Sequence, residues 1–299
     1  MRRRLLAVLI IAHRVQAVRY ALRVAYDGTH FRGWQVQPQT CSQTGRRVRT
    51  VEGCLREAFG KRFDGLELTG TTLLGASRTD AGVHAKGQAA HVDLSSYIED
   101  LGLLTHQLNR ILPDDVRINR IQEAPTSANY PDWWEASKLW HAIACSTGKR
   151  YVYKMRCRRG AMDPLDRLYR GHVAYEELDF EILQAALQKC QGTKDFKAFA
   201  NNAPTQNPLE MDTVRTIHRI DVEDEGGGDY TIAMDLDGAL YRMVRNIVGA
   251  CVACGTGKLE LDVLDELLSG RCSRRDNPTK SAPARGLCLE EVFYDDFGA

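Results

Sequence analysis

No phosphate-binding loop of the Gly-x-x-x-x-Gly-Lys type occurs in the 299 residues, and no His-Glu-x-x-His. The first absence removes the common backbone cradle for a nucleotide, the second the helical zinc site of a metalloprotease. Only one Cys-x-x-Cys is present, Cys251-Val-Ala-Cys254, with no second pair nearby to complete a tetrahedral zinc site. That pair also falls in a helical apolar pattern, where small core residues are the better reading. The nine cysteines are scattered and odd in number, which fits reduced thiols inside a cell rather than a disulfide framework. Low-complexity repeats are absent, and no hydrophobic run is long enough to span a bilayer. Nothing in the sequence calls for a metal, a nucleotide or any other cofactor, or for a membrane.

Net charge is nearly absent too, at +1, so the total does not by itself indicate a nucleic-acid partner. Its distribution says more. Residues 2 to 60 hold eleven arginines against Asp27, Glu52 and Glu57, and Lys149 to Arg159 holds six basic residues and no acid. Acids gather elsewhere, as in Asp221-Val-Glu-Asp-Glu225. A chain with separated signs can offer one basic face to a phosphate backbone while staying near neutral. Acids are missing altogether from residues 1 to 26, where Leu5 to Ile11 forms a short apolar run. A transit peptide, a secretory signal and a disordered leader compete here. An arginine-rich, acid-free start fits the transit peptide best, although serine is scarce. The expected location is intracellular, either cytoplasmic or in an organelle such as the mitochondrion.

What is there begins with strand alternation. Val18, Tyr20, Leu22, Val24 and Tyr26 share one side of a strand that Asp27-Gly28 ends with a turn. An arginine-rich loop follows over Thr40 to Arg49, then helical spacing at Val51, Leu55 and Ala58-Phe59. Strands are expected over Leu66 to Leu74 and Gln88 to Leu94, a helix over Tyr97 to Leu112 that Pro113 stops, and a strand at Val116 to Ile121. The order strand, helix, strand, strand, helix, strand is the ferredoxin-like arrangement. Glu123 to Leu139, with Pro125, Pro131 and Trp133-Trp134, breaks the pattern. Its tryptophans either stack on bases or dock the segment on the body, and docking is preferred.

A second half repeats the order. Arg150 to Cys157 is a strand with Tyr151, Tyr153, Met155 and Cys157 on one face and Arg150, Lys154 and Arg156 on the other. Helices follow at Leu178 to Cys190, Tyr241 to Cys254 and Leu261 to Leu268, with strands at Val214 to Val222, Tyr230 to Leu236 and Leu287 to Tyr294. At roughly 150 residues per domain the length suits two domains. The reading is an α+β fold of two ferredoxin-like halves, joined sheet edge to sheet edge around a cleft. Its parts are a leader (1–17), a first half (18–123), an insertion (124–140) and a second half (141–299).

One stretch carries the chemistry: Gly75-Ala-Ser-Arg-Thr-Asp-Ala-Gly-Val-His-Ala-Lys-Gly-Gln-Ala-Ala-His91. Asp80 sits among small residues at the tip of a loop between two strands. Alone, Asp-Ala-Gly is ordinary turn chemistry. The longer string Ser77-Arg-Thr-Asp-Ala-Gly-Val-His-Ala85 strongly resembles the catalytic loop of the tRNA pseudouridine synthase A family. Serine at 77, where that family usually has glycine, is more like its organellar-type branch. Four further strings resemble the family in the right order: Tyr26 to Gln35 with Gly-Trp-Gln, Thr147 to Tyr153, Met243 to Gly249, and Ala282 to Leu289.

The resemblance implies an isomerase that turns uridine into pseudouridine, in the tRNA anticodon stem-loop or, among organellar relatives, in messenger RNA. It implies a homodimer and no cofactor. It places the catalyst at Asp80, an active-site tyrosine at Tyr151 and a basic partner of the aspartate at Arg245. It points to Arg78, Arg215, Trp34, Gln35 and His84 for substrate binding. Two family arginines are missing, one where Ile143 stands and one where Ala200 stands. The rival readings are a non-catalytic RNA-binding protein with the same basic cleft, and a thiol or metal protein built on Cys251 and Cys254.

Overall fold

The computed structural model describes residues 17–38, 48–64, 66, 68, 72–125, 139–174, 176–201 and 212–295. The expected leader, most of the arginine-rich loop, and the insertion with Trp133 and Trp134 lie outside the described residues.

The alternation at the start becomes β1 (Val18–Tyr26), with Tyr20, Leu22, Val24 and Tyr26 buried. Helix α1 (Val51–Arg62) begins where the Thr50 side chain accepts from the Gly53 N–H. Strand β2 (Leu73–Gly75) is shorter than expected, and β3 (His84–Leu94) starts earlier. Helix α2 (Leu101–Ile111) starts four residues later than expected, because Asp100 caps it through the Leu103 N–H. The preceding turn is spent instead on Ile98 N–H, which donates to the Tyr20 hydroxyl. Strand β4 (Val116–Glu123) completes the first half.

The second half runs β5 (Gly148–Cys157), β6 (Gly171–Ala174), α3 (Phe180–Cys190), β7 (Gly192–Asp195), β8 (Val214–Gly226), β9 (Asp229–Leu236), α4 (Met243–Gly255), α5 (Leu261–Leu267) and β10 (Leu287–Phe293). All ten strands form one sheet in the order β4-β1-β3-β10-β5-β9-β8-β7, with β2 beside β3 and β6 beside β5. The α+β class is therefore present. Within each half the spatial order is the same, β4-β1-β3-β2 and β10-β5-β9-β8. Strands β6 and β7 are additions to the six-element pattern, extending the end of β5 and the edge of β8.

The short β2 has a structural reason. The edge of β3 is shared between two partners. Strand β2 takes Ala90 to Val92, and β10 pairs in parallel with His84 and Ala85. Residues 76–83 leave the sheet in the gap between them. Gly87 permits the junction, since a Cβ there would meet the Glu290 carbonyl oxygen at 2.3 Å. The loop bearing Asp80 thus emerges where the two halves join.

Candidate active site

Four contacts hold the 76–83 loop from behind. Ala76 N–H donates to the Ala89 carbonyl at 2.8 Å, which continues the sheet by one bond. Gln88, fully buried, donates to the Ser77 carbonyl at 2.7 Å and accepts from the Ser77 N–H at 3.2 Å. The Tyr26 hydroxyl meets the Thr79 hydroxyl at 2.7 Å. Trp34 N–H donates to the Thr79 carbonyl at 3.1 Å. Gly33 makes that approach feasible. Its φ is +98°, and a Cβ would lie 2.7 Å from the Thr79 carbonyl oxygen.

Asp80 is presented forward. Its Oδ2 receives an N–H of Arg245 at 2.8 Å, and both side chains are 12% exposed. Arg245 comes from the first turn of α4, and its Nε donates to the Ala282 carbonyl at 2.8 Å. The guanidinium fork is therefore divided between the carboxylate and a backbone carbonyl. Tyr151, on β5, reaches the loop from the other half, with its hydroxyl 2.8 Å from the Ser77 hydroxyl. Burial pushes the Tyr151 phenol up to about 12, and the Asp80 charge adds to that rise. Arg242, exposed and in the left-handed region at φ 62°, precedes α4. These residues line a cavity of about 460 Å³ at the joint between the halves.

A family model described as tRNA pseudouridine synthase matches residues 186–295. Similarity to curated relatives covers nearly the whole chain. The tRNA pseudouridine synthase A 1 of Protochlamydia amoebophila is 35% identical over 277 residues, covering 93% of this chain and 96% of that protein. The tRNA pseudouridine synthase A of Latilactobacillus sakei is 35% identical over 92% of this chain and 98% of its own length. That of Streptococcus mutans is 34% identical over 93% and 100%. The chain belongs to the tRNA pseudouridine synthase A family. It is an isomerase of the pseudouridine synthase class. A solved Cbf5-Nop10-Gar1 complex matches at a TM-score of 0.33 and 11% identity, covering 91% of this chain and 59% of that one, too faint a likeness to build on.

Within this family member the structure sorts the expected residues. Asp80, Tyr151, Arg245, Arg78 and Arg215 line one cavity. Arg78 is exposed on the loop, and Arg215 lies 3.6 Å from Asp212. Trp34, Gln35 and His84 do not line it. Trp34 is buried against Gly75 and Tyr26, so its part is to back the loop rather than meet substrate. His84 is buried as well. Its Nδ1 receives the Gly28 N–H, and its Nε2 faces the carbonyls of Leu168 and Arg285 at 3.0 and 3.2 Å. Gln35 is exposed beside the loop's support. Ile143, at the position of a missing family arginine, is 40% exposed on the cavity rim.

The basic segments need a correction. Arg150 and Arg156 share the face expected of them and were counted toward a basic face for phosphate, yet each is held by two hydrogen bonds to an acid opposite it on β9. Arg150 binds Asp235 and Arg156 binds Asp229. Arg156 is buried, on an interior strand whose same face leaves Lys154 exposed. Likewise Arg19, Arg49 and Arg56 pair with Asp93, Asp115 and Glu52. Among the described residues, Arg19, Arg49, Arg56, Arg150 and Arg156 are thus paired with acids of the chain itself. Cys251 faces Cys190 with sulfurs 3.8 Å apart inside the helical layer.

Two site residues escaped the sequence reading. Ser77 was noted for its identity, not for its contact with Tyr151. Lys149 was counted among the surface charges, yet it is buried and donates to the Ala76 carbonyl at 2.9 Å. Period-two alternation was the available signal. It puts Lys149 on the face of Tyr151, not of Arg150.

Proposed function

We propose that this enzyme acts on uridine in the anticodon stem-loop of tRNA, with Asp80 as the catalyst. The observation that carries the reading is the Asp80–Arg245 pair at the cavity beside buried Tyr151. In the reaction the C1′–N1 bond breaks, the uracil turns, and C5 bonds to C1′. The C5 proton leaves and N1 takes one, so atoms balance. Asp80 opens the sequence as a nucleophile at the sugar or as a base toward it. Both roles need an ionised carboxylate, and the Arg245 guanidinium holds it in place.

Tyr151 packs against the base. With its phenol pushed up to about 12, only about one molecule in 10⁵ is phenolate at neutral pH. A neutral phenol can only relay a proton, giving up its own as it accepts one, and the Ser77 hydroxyl in contact with it cannot hold one either, so the C5 proton must end on Asp80 or on N1. Arg78, exposed two residues before Asp80, fills the space the flipped base leaves. Extruding the base costs a few kcal/mol, which stacking and phosphate contacts offset. The family resemblance supports a homodimer around the RNA, and sedimentation tests it.

Asp80→Asn keeps volume and removes charge. It should abolish pseudouridine formation on tRNA transcripts while RNA affinity stays within a few fold. Measurable turnover by the Asn variant would sink the catalytic assignment. Modification of wild-type targets outside the anticodon stem-loop would sink the substrate assignment.

A further inference from the structure

The reaction as described leaves one buried charge unused. Lys149 is 9% exposed, and its only hydrogen bond among the described residues runs from Nζ to the Ala76 carbonyl at 2.9 Å. No carboxylate lies within ion-pair distance of it among the described residues. An ammonium carries three N–H groups, so two remain. The cavity it lines also holds Arg78 on the loop, Arg215 on β8, and Arg242 and Arg245 around the start of α4, against the single carboxylate of Asp80. Asp80 is engaged by Arg245. Arg215 repels Lys149, and Asp237, just after β9, is too far to pair but attracts it. Tyr151 shares its strand face, with its hydroxyl turned to Ser77.

Burial comes first among the causes that press the Lys149 ammonium down to about 8. An unpaired buried charge is costly. A cavity with surplus positive charge and free N–H groups is matched by an anion of the substrate. We propose that Lys149 forms the floor of an anion site for an RNA backbone phosphate beside the target nucleotide, and that this site binds RNA with uptake of a proton. The inference rests on the RNA-modifying reading above.

The sign follows from linkage. In free enzyme the ammonium loses its proton as pH rises through about 8. A bound phosphate favours the charged form, so its titration moves upward in the complex. Below about pH 7 the lysine is charged in both states and nothing is taken up. Above 8 the free enzyme must gain a proton to bind, and affinity falls. At pH 8.5 the uptake is about 0.7 proton, and affinity is about fourfold below that at pH 7.

Calorimetric binding of a fully converted tRNA transcript, in buffers of different ionisation heat at pH 7 and 8.5, reads this directly. Lys149→Arg stays charged and should keep its affinity across that range with no extra uptake. Lys149→Met should bind more weakly at both pH values, also without uptake. Lysine carbon-13 NMR assigns the Lys149 titration by its disappearance in Lys149→Arg. Its midpoint should rise with tRNA and with an oligoadenylate, which binds through its backbone and holds no uridine to isomerise. Failure to convert tRNA, with the oligoadenylate shift intact, would count against the substrate reading alone. A midpoint unmoved by both RNAs, or the same pH dependence in wild type and Lys149→Arg, overturns the anion site.

Discussion

Arg245 offers the sharpest test of how the site is held. In the structure its guanidinium makes two separate bonds, one to Asp80 at 2.8 Å and one to the Ala282 carbonyl at 2.8 Å. Arg245→Met removes both. It leaves a carboxylate that is only 12% exposed without its partner, and breaking a buried pair from one side costs about 3–5 kcal/mol. The cleft admits water, so the lower end applies. Arg245→Lys differs. One ammonium N–H can still meet Asp80, because the native contact uses a single N–H. It cannot also reach Ala282, whose carbonyl is then left unmet in a buried position, at about 1–3 kcal/mol. Arg245→Lys should therefore fold and turn over about 10- to 100-fold more slowly. Arg245→Met should be slower still, since nothing then holds the Asp80 carboxylate in position. Asp80→Asn with Arg245→Met should be no less active than Asp80→Asn alone, as for residues that act as one unit. The assay is single-turnover pseudouridine formation on a tRNA transcript across pH. Identical single-turnover rates in wild type and both single variants at every pH would make Arg245 a structural residue and refute the pairing.

Two further predictions concern what surrounds the site. Gly33→Ala adds a Cβ 2.7 Å from the Thr79 carbonyl at a φ of +98°, so it should cost about 1–3 kcal/mol and lower kcat more than RNA affinity; unchanged thermal unfolding and rate would refute the view that Gly33-Trp34 supports the loop. His91, buried with its Nδ1 accepting the Ala142 N–H at 3.2 Å, is pressed down to about 3, by burial first and then by the Arg19 charge. Unfolded, it titrates near 6.5, so the unfolded chain binds the extra proton as pH falls below that value, and stability drops by about 2 kcal/mol between pH 7 and 5. Denaturant unfolding of wild type and His91→Asn at both pH values checks this, and an equal loss in the two would refute it.

The strands of both halves were legible because alternation writes the buried face into every second residue, as Tyr20, Leu22 and Val24 show. Helix starts were less so. The 97–100 stretch carries helical apolar spacing, but the Tyr20 hydroxyl claims the Ile98 N–H, and the Asp100 side chain caps a later start through the Leu103 N–H.

The linear sequence by itself named Asp80, Tyr151 and Arg245 as a candidate set, because five short strings in order resemble the family's motifs, and the fold brings the three to one cavity. Tertiary structure alone decided how charges are spent. Alternation tells which side a residue faces but not what covers that side. Arg150 and Arg156 thus became partners of Asp235 and Asp229, chosen by the β5–β9 register. Trp34 backs the loop and His84 is buried among Gly28, Leu168 and Arg285, because residues distant in the chain close over them. Lys149 became a cavity residue for the same reason. Only the parallel pairing of β10 with β3 brings its strand under Ala76, and only a three-dimensional joint can bury a lysine against a backbone carbonyl 73 positions earlier in the chain.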